Sequence, residues 1–353
     1  MYKNVIIDIG ENMGSIYNLT YEELVKYIEE LGYKKFNASQ IYDWLYKKRV
    51  NSFDEMSNIK KELIEYLKQN YTLKTLKLIT KQTDIDVCKY LFELNDGNKI
   101  EAVYMHHNYG HSLCISTQVG CNMGCAFCES GRLKKVRNLE SYEMVEQILK
   151  IEEDLNLRLT HLVLMGIGEP FDNYDNVIDF IDIINNPKGI ELGSRHITIS
   201  TCGLVPKIKE FMNYDKQVNL AISLHAPNNE IRNKIMPINK AYNLEILIET
   251  IKEYINKTNR RVTFEYIMLK GVNDSTDNAL ELSKLLKGIN CYVNIIPYNE
   301  TSYIELEKSN KEQILKFYDI LKKNKINVTI RKEFGSKVSA ACGQLRASHE
   351  EGK

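Results

Sequence analysis

Between residues 112 and 331 the chain repeats one unit, a short apolar run followed by an amphipathic stretch, and this repeat constrains the fold more than any other feature. The apolar runs fall at 113–117, 160–165, 196–201, 218–224, 261–268, 291–297 and 326–331. Helical spacing marks 142–156, 176–184, 206–212, 244–255, 278–286 and 311–323. Strands alternating with helices predict a parallel sheet covered by helices, since each helix carries the chain back to the end where the next strand starts. Six or so units suit an α/β fold of the open or partial (β/α)6 barrel type better than a doubly wound sheet, while periodicity by itself admits both. In either arrangement ligand-binding groups belong at the C-terminal ends of the strands.

The N-terminal third has a different texture and reads as a small module of its own. Thr20 and Glu23 form a capping-box signature ahead of Leu24, Ile28 and Leu31, and Gly32 stops that helix. Two more helices are expected to carry Ile41, Trp44 and Leu45, then Ile59, Leu63 and Leu67. Lys34, Lys35, Lys47, Lys48 and Arg49 lie among them, as phosphate contacts or as an ordinary solvated face. Residues 89–94 and 99–104 flank Asn95-Asp-Gly-Asn98 and read as a β-hairpin that presents Glu101. The formal charge is zero, from 47 basic and 47 acidic residues, so a polyanion must be held by local patches. No run reaches the length of a membrane span and the N-terminus lacks a signal-peptide core. A cytoplasmic, reducing setting without membrane partners is therefore expected, in which thiols serve chemistry and not stable disulfides.

Four of the eight cysteines fall between Cys114 and Cys128, directly after the first apolar run. Cys121, Cys125 and Cys128 have the spacing C-x3-C-x2-C, unlike the paired C-x2-C motifs of tetrahedral zinc. Soft thiolates at this spacing suit an iron–sulfur cluster, and three ligands leave one iron of a four-iron cluster open to a small molecule. Structural thiols, or a zinc site completed by histidine, are the plainer alternatives. Gly120 and Gly124 favour a loop that folds tightly round a ligand.

The later strand ends carry polar groups as well. They are Gly166-Ile-Gly168-Glu169-Pro170, Ser200-Thr-Cys202-Gly203, Ser223-Leu224-His225 and Pro297-Tyr-Asn299. Singly, each is as well read as a tight turn or a helix cap; together on one rim they point to a binding site. Past the last strand stands Ala340-Ala341-Cys342-Gly343, where the thiol is either a buried small hydrophobe or an exposed loop nucleophile. Arg132-Leu-Lys134-Lys135-Val-Arg137 puts four cations at the mouth of the site, a candidate phosphate contact, with Arg260, Arg261, Arg331, Lys332 and Arg346 as possible additions to its field.

Read together, these motifs resemble the RlmN/Cfr family of radical S-adenosylmethionine (SAM) RNA methyltransferases. The resemblance runs nearly end to end and includes Met236-Pro-Ile-Asn239, Gly271-Val-Asn-Asp274 and Ala341-Cys-Gly-Gln-Leu345. It implies an accessory RNA-binding module over 1–105 and a radical SAM core over 106–353. It implies one 4Fe–4S cluster on Cys121, Cys125 and Cys128, and SAM held at Gly168, Glu169, Ser200, Ser223, Leu224, His225 and Asn299. Its chemistry uses two SAM molecules per turnover. Cys342 takes a methyl group from one; the second is cleaved to a 5′-deoxyadenosyl radical that abstracts hydrogen from that S-methyl group. The methylene radical adds to an adenine, Glu101 accepts the ring proton, and Cys114 attacks Cys342 to release the base through a transient disulfide. The implied partners are 23S rRNA, with tRNA as a second substrate, and an electron donor such as flavodoxin or ferredoxin. The motifs are nearer the C2-methylating RlmN branch than the C8-methylating Cfr branch, which stays the alternative, together with a divergent paralogue acting on another substrate. Departures from the family pattern stand at Glu129-Ser130-Gly131, Lys134, Lys135, Cys202 and Lys337-Val-Ser339. Glu129 adds a negative charge beside the cysteines for which the sequence offers no reason.

Overall fold

The computed structural model describes residues 14–301 and 304–331. Three N-terminal helices, α1 (Tyr21–Glu30), α2 (Lys35–Tyr42) and α3 (Lys61–Asn70), lead into a four-stranded meander. Its strands are β1 (Lys77–Asp84), β2 (Val87–Glu93), β3 (Lys99–His107) and β4 (Gly110–Cys114). From β4 the chain alternates: α4 (Ser141–Leu155), β5 (His161–Leu164), α5 (Tyr174–Asn185), β6 (Ile197–Thr201), α6 (Val205–Phe211), β7 (Asn219–Ser223). It continues through α7 (Asn229–Ile235), α8 (Leu244–Thr258), β8 (Val262–Met268), α9 (Thr276–Leu285), β9 (Cys291–Pro297), α10 (Lys311–Lys323) and β10 (Val328–Ile330).

The ten strands form one sheet in the order β10-β9-β8-β7-β6-β5-β4-β3-β2-β1, with β4 to β10 parallel and β1 to β4 antiparallel. Each new parallel strand is added beside the previous one, always on the same side. That order winds an opened (β/α) barrel of six crossovers and has no point where strand order reverses, as a doubly wound sheet must. The sheet's two faces differ in kind. Leu162, Leu164, Ile197, Ile199, Leu220, Ile222, Phe264, Val293 and Ile295 pack under the helices in the main core. The alternate residues of β6 to β10 include Thr198, Ser200, Ser223, Thr263, Glu265, Asn294 and Thr329. A parallel strand buried on both faces is usually apolar throughout, so this alternation marks an interior built to hold polar groups.

The meander corrects the expectation of a lone hairpin. Residues 89–94 and 99–104 do pair, but β1 adds a strand before them and β4 joins them to the barrel. β1 was hidden because its residues are mostly exposed and polar, which resembles a loop in sequence. The N-terminal helices pack into the same core as the barrel, through Leu24, Ile28, Ile41, Leu45 and Leu67. The Thr20–Glu23 capping box is formed. No helix among the described residues is long and apolar enough to cross a membrane.

Helix α4 lies between the sheet and the N-terminal helices, and its buried polar side chains act as sockets. Gln147 accepts from Ser116 N (3.0 Å) and donates to Ser116 O (3.1 Å), imitating a strand partner for the segment that leaves β4. Glu152 binds Arg49 and accepts from Leu159 N (2.6 Å). Arg49 is thus a tie between module and barrel and not a free phosphate contact. Lys48 stacks on Trp44, 3.4 Å from the ring centroid. Glu146 accepts from Thr75 N (2.8 Å) and Leu76 N (2.6 Å), where the module passes into β1.

Burial pushes the Glu146 carboxyl up from 4.5 to about 7, against the pull of those two N–H donors. The folded chain therefore binds this proton more tightly than the unfolded chain. The stabilisation is complete below pH 4.5 and is lost as pH rises through 7. Glu146→Gln keeps an acceptor and cannot ionise. Between pH 5 and pH 8, urea unfolding of the parent should lose on the order of 3 kcal/mol relative to this variant; parallel pH profiles would contradict the assignment.

Candidate active site

The loop after β4 is held at both ends before it reaches the cysteines. At its start Ser116 is a buried junction. Its hydroxyl donates to Glu101 O (2.6 Å) and accepts from Ile167 N (3.1 Å), while its backbone is held by Gln147. At its far end Arg137 makes a two-pronged contact with Glu143 of α4 (2.7 and 2.8 Å) and a third with Asp96 in the hairpin turn (2.6 Å). Gly120, at φ +74°, folds the loop back so closely that a Cβ there would lie 2.2 Å from Lys134 O. Its turn is required by the loop's own packing.

Within this frame Cys121, Cys125 and Cys128 stand on the wall of one cavity, enclosing about 840 Å³ of space that opens to solvent. Gly168, Glu169, Ser200, Ser223 and His225 share that wall, so the cysteine loop meets three of the four strand ends singled out in the sequence. Leu224 and Asn299 are not on it. Leu224 is buried in the core, and Asn299 Nδ2 donates to Pro297 O (3.4 Å). Cys342 lies outside the described residues, as do Lys332, Lys337, Ser339 and Arg346.

The polar groups of the cavity are fixed by backbone partners. Both Glu169 oxygens accept N–H groups, from Phe171 (3.0 Å) and Cys202 (2.7 Å), and burial raises its carboxyl above the usual range. Gly168, at φ +112°, presses against Gln118, where a Cβ would come within 2.7 Å; the glycine serves packing against the cysteine loop. Ser200 and Ser223 hydroxyls lie 3.5 Å apart on neighbouring strands. His225 sits at φ +55°, a conformation uncommon outside glycine. Asn273 holds it there by donating to His225 O (2.8 Å) and Ile267 O (2.7 Å), which gives the Gly271-Val-Asn-Asp274 motif its structural purpose. His225 Nδ1 faces Ile267 N (3.1 Å) and accepts, which leaves Nε2 as the N–H donor. Burial, with Arg232 nearby, lowers its pKa to about 3, so the ring is neutral.

Arg232, fully buried beneath the site, was absent from the sequence reading. It donates to Cys202 O (2.7 Å), Asn239 Oδ1 (2.9 Å), Leu224 O (3.2 Å) and Ser223 O (3.3 Å), tying two strand-end segments to the turn after α7. Burial pulls its guanidinium down to about 10. Glu265 and Arg331 also reach the cavity, and Asn294 Nδ2 donates to Glu265 (2.8 Å). The strand-end alternation Glu265-Tyr-Ile267 and Asn294-Ile-Ile296 carried that signal.

Glu129 now has an account. It is 3% exposed, in the turn Glu129–Arg132 after Cys128, and accepts from the Thr301 hydroxyl. It fastens the cysteine loop to the segment after β9. The basic run divides differently from the expectation. Lys135 pairs with Asp172 (2.7 Å) and Arg137 is engaged as described, so these two cations serve the fold. Arg260 and Arg261 lie with Arg195 at the N-terminal ends of the strands, opposite the cysteine loop, and Arg331 belongs to the cavity wall. A charge run in sequence does not reveal which carboxylates will meet it.

The donor set can be tested against a metal group. Burial pushes the Cys121 thiol up to about 12 and Cys125 well above its usual range, so a metal must replace the protons for thiolates to exist here. Among the described residues no three His, Cys, Asp or Glu side chains close on a single-ion site. Three sulfurs round one cavity, in the spacing C-x3-C-x2-C, fit an iron–sulfur cluster.

The comparisons agree with this geometry. The family profile described as "Radical SAM superfamily" matches residues 115–283, and that of the "Ribosomal RNA large subunit methyltransferase N-terminal domain" matches 15–73. The chain is 54% identical over 335 residues to the probable dual-specificity RNA methyltransferase RlmN of Acholeplasma laidlawii, covering 95% of this chain and 99% of that one. It is 56% identical over 342 residues to the protein of the same description from Listeria welshimeri, covering 94% and 93%. A crystal structure of a radical SAM methyltransferase from Sphaerobacter thermophilus superposes with a TM-score of 0.90 at 40% identity, covering 94% and 99%.

Replacing Arg232 by Met should leave several buried carbonyls without donors and lower stability by about 3 kcal/mol or more. A urea midpoint within error of the parent would show that these contacts do not hold the strand ends.

Proposed function

We propose, from the premise that this chain belongs to the RlmN family of radical SAM RNA methyltransferases, that it methylates C2 of an adenine in 23S rRNA and in tRNA. The observation that carries this reading is the meeting of Cys121, Cys125 and Cys128 with Gly168, Glu169, Ser200, Ser223 and His225 round one cavity. A 4Fe–4S cluster on the three cysteines would supply the electron for reductive cleavage of SAM. The serine hydroxyls and the neutral His225 donor suit the hydroxyl and carboxylate groups of SAM. A donor such as flavodoxin or ferredoxin would deliver the electron. Residues 1–105 would act as the accessory RNA-binding module of the core at 106–353.

C2 of adenine is electron-poor and does not accept a methyl cation, which is why the reaction needs side chains of its own. Cys342, as thiolate, would attack the methyl carbon of one SAM and displace S-adenosylhomocysteine; the second SAM of the turnover is the one cleaved. Once a methylene group links Cys342 to C2 and the adduct has given its unpaired electron back to the one-electron carrier, Glu101 takes the ring proton, and the C–H electron pair restores the aromatic ring. Cys114 then attacks the Cys342 sulfur. The S–S bond forms, the S–C pair passes to the methylene carbon, and a proton completes the methyl group. Glu101 and Cys114 lie on the same face of adjacent strands: Val103 pairs with Cys114, and Glu101 stands two residues from Val103 toward the cysteine-loop end.

Four measurements bear on this. Mass spectrometry of RNA from a host that lacks its own enzyme and expresses this chain should find 2-methyladenine; 8-methyladenine would place it with the C8 branch, and no change would remove RNA as substrate. Cys125→Ala should lose bound iron and sulfide. Cys114→Ala should accumulate a covalent protein–RNA adduct, and Cys342→Ala should lose S-methylcysteine. Free methylated RNA as the main product of the Cys114 variant would overturn its role.

A further inference from the structure

Buried lysines are rare, and Lys89 is buried on the face of the sheet that carries the reacting groups. It is 7% exposed, on β2, and its Nζ lies 3.3 Å from Oε1 of Glu101, itself 1% exposed, on β3. The register explains the contact. Lys89, Val103 and Cys114 are direct partners across β2, β3 and β4, and Glu101 stands one diagonal step from Lys89. Diagonal neighbours on a sheet are within reach of a long side chain. Lys89, Glu101 and Cys114 therefore share one patch, walled by Val87, Val103, Met105 and Ile167.

We propose that Lys89 is a positioning residue for the proton-accepting carboxylate, holding Glu101 in place as a charged acceptor before RNA arrives. The inference rests on the reading of Glu101 as base. A carboxylate in an apolar patch without a nearby cation avoids its charge by keeping a proton, and a protonated carboxyl cannot accept another. A fixed ammonium 3.3 Å away supplies the missing charge and aims Oε1. When Glu101 takes the ring proton the pair is reduced to a lone ammonium beside a neutral acid. That arrangement favours return of the proton to solvent and resets the base. Among the described residues the other titratable groups on this face are Lys99, and Glu93 paired with Lys77 (3.7 Å), toward the hairpin turn, and Asp84 and His107 toward the opposite end, Asp84 one diagonal step from Lys89. Cys114 is the titratable neighbour on β4.

The test uses the cluster-loaded enzyme with RNA substrate and the variants Lys89→Met, Lys89→Arg and Glu101→Gln. S-methylation of Cys342 by SAM does not require the base, so Lys89→Met should keep it near the parent level. Its RNA methylation at pH 7 should fall about tenfold or more, and the acid limb of its pH–rate profile should move up. Lys89→Arg restores the charge and should return both toward the parent. Turnover lost with an unmoved acid limb, turnover unaffected, or loss of Cys342 methylation along with RNA methylation would each overturn the inference, the last because it marks a purely structural tie. Glu101→Gln separates the two readings. If it leaves RNA methylation intact, the base assignment itself fails; if it abolishes methylation while Lys89→Met keeps the parent profile, only the role of Lys89 fails.

Discussion

The site depends on one constraint: a long loop bearing the cysteines must be stiff with little secondary structure of its own, only a two-residue pairing of Gln118–Val119 with Arg137–Asn138 and the turn Glu129–Arg132. Helix α4 meets it with buried polar side chains. Gln147 gives Ser116 the pair of hydrogen bonds a neighbouring strand would give, and Glu143 takes both prongs of Arg137 at the other end. Between these anchors Gln118 of the loop packs on Gly168, and Glu129 fastens the loop's exit to Thr301. Buried polar groups are costly unless fully satisfied, and here their partners are segments that must not move. The same residues that would look like errors in an apolar core position the loop.

The second element is the polar interior of the sheet. Alternation in β6 to β10 places Ser200, Ser223, Glu265 and Asn294 on the concave side while isoleucines, leucines and phenylalanines face the helices. Arg232 and Asn273 work from behind, holding carbonyls at the strand ends so that the wall keeps its shape. The cavity is thus a product of strand periodicity, with its rim set by a few buried hydrogen-bonding side chains.

Much of this was legible in the sequence because it rests on local patterns. The seven parallel strands, the hairpin at Asn95-Asp-Gly-Asn98, the Thr20 cap and the shared rim of cysteines, glycines and serines follow from period and spacing. What escaped depends on partners distant in the chain. Strand β1 is polar and exposed and is recognised only through its pairing with β2. Arg137 and Lys135 read as phosphate contacts until Glu143 and Asp172 are seen beside them. Arg260 and Arg261 carry the right charge at the wrong end of the strands. Lys89 belongs to Glu101 only when the register is known. Glu129 looked anomalous because its partner is 172 positions away.

The antiparallel seam between β3 and β4 has a consequence for how such a chain can vary. Side chains alternate with period two, so sliding one strand by a single residue exchanges its faces. Across this seam Glu101 and Cys114 are kept on a common side by the pairing of Val103 with Cys114 and of His107 with Gly110. A change in the connecting turn is therefore harmless only where it leaves that pairing in place. A slip of one residue would leave the sheet hydrogen-bonded and send one of the two groups in among the helices.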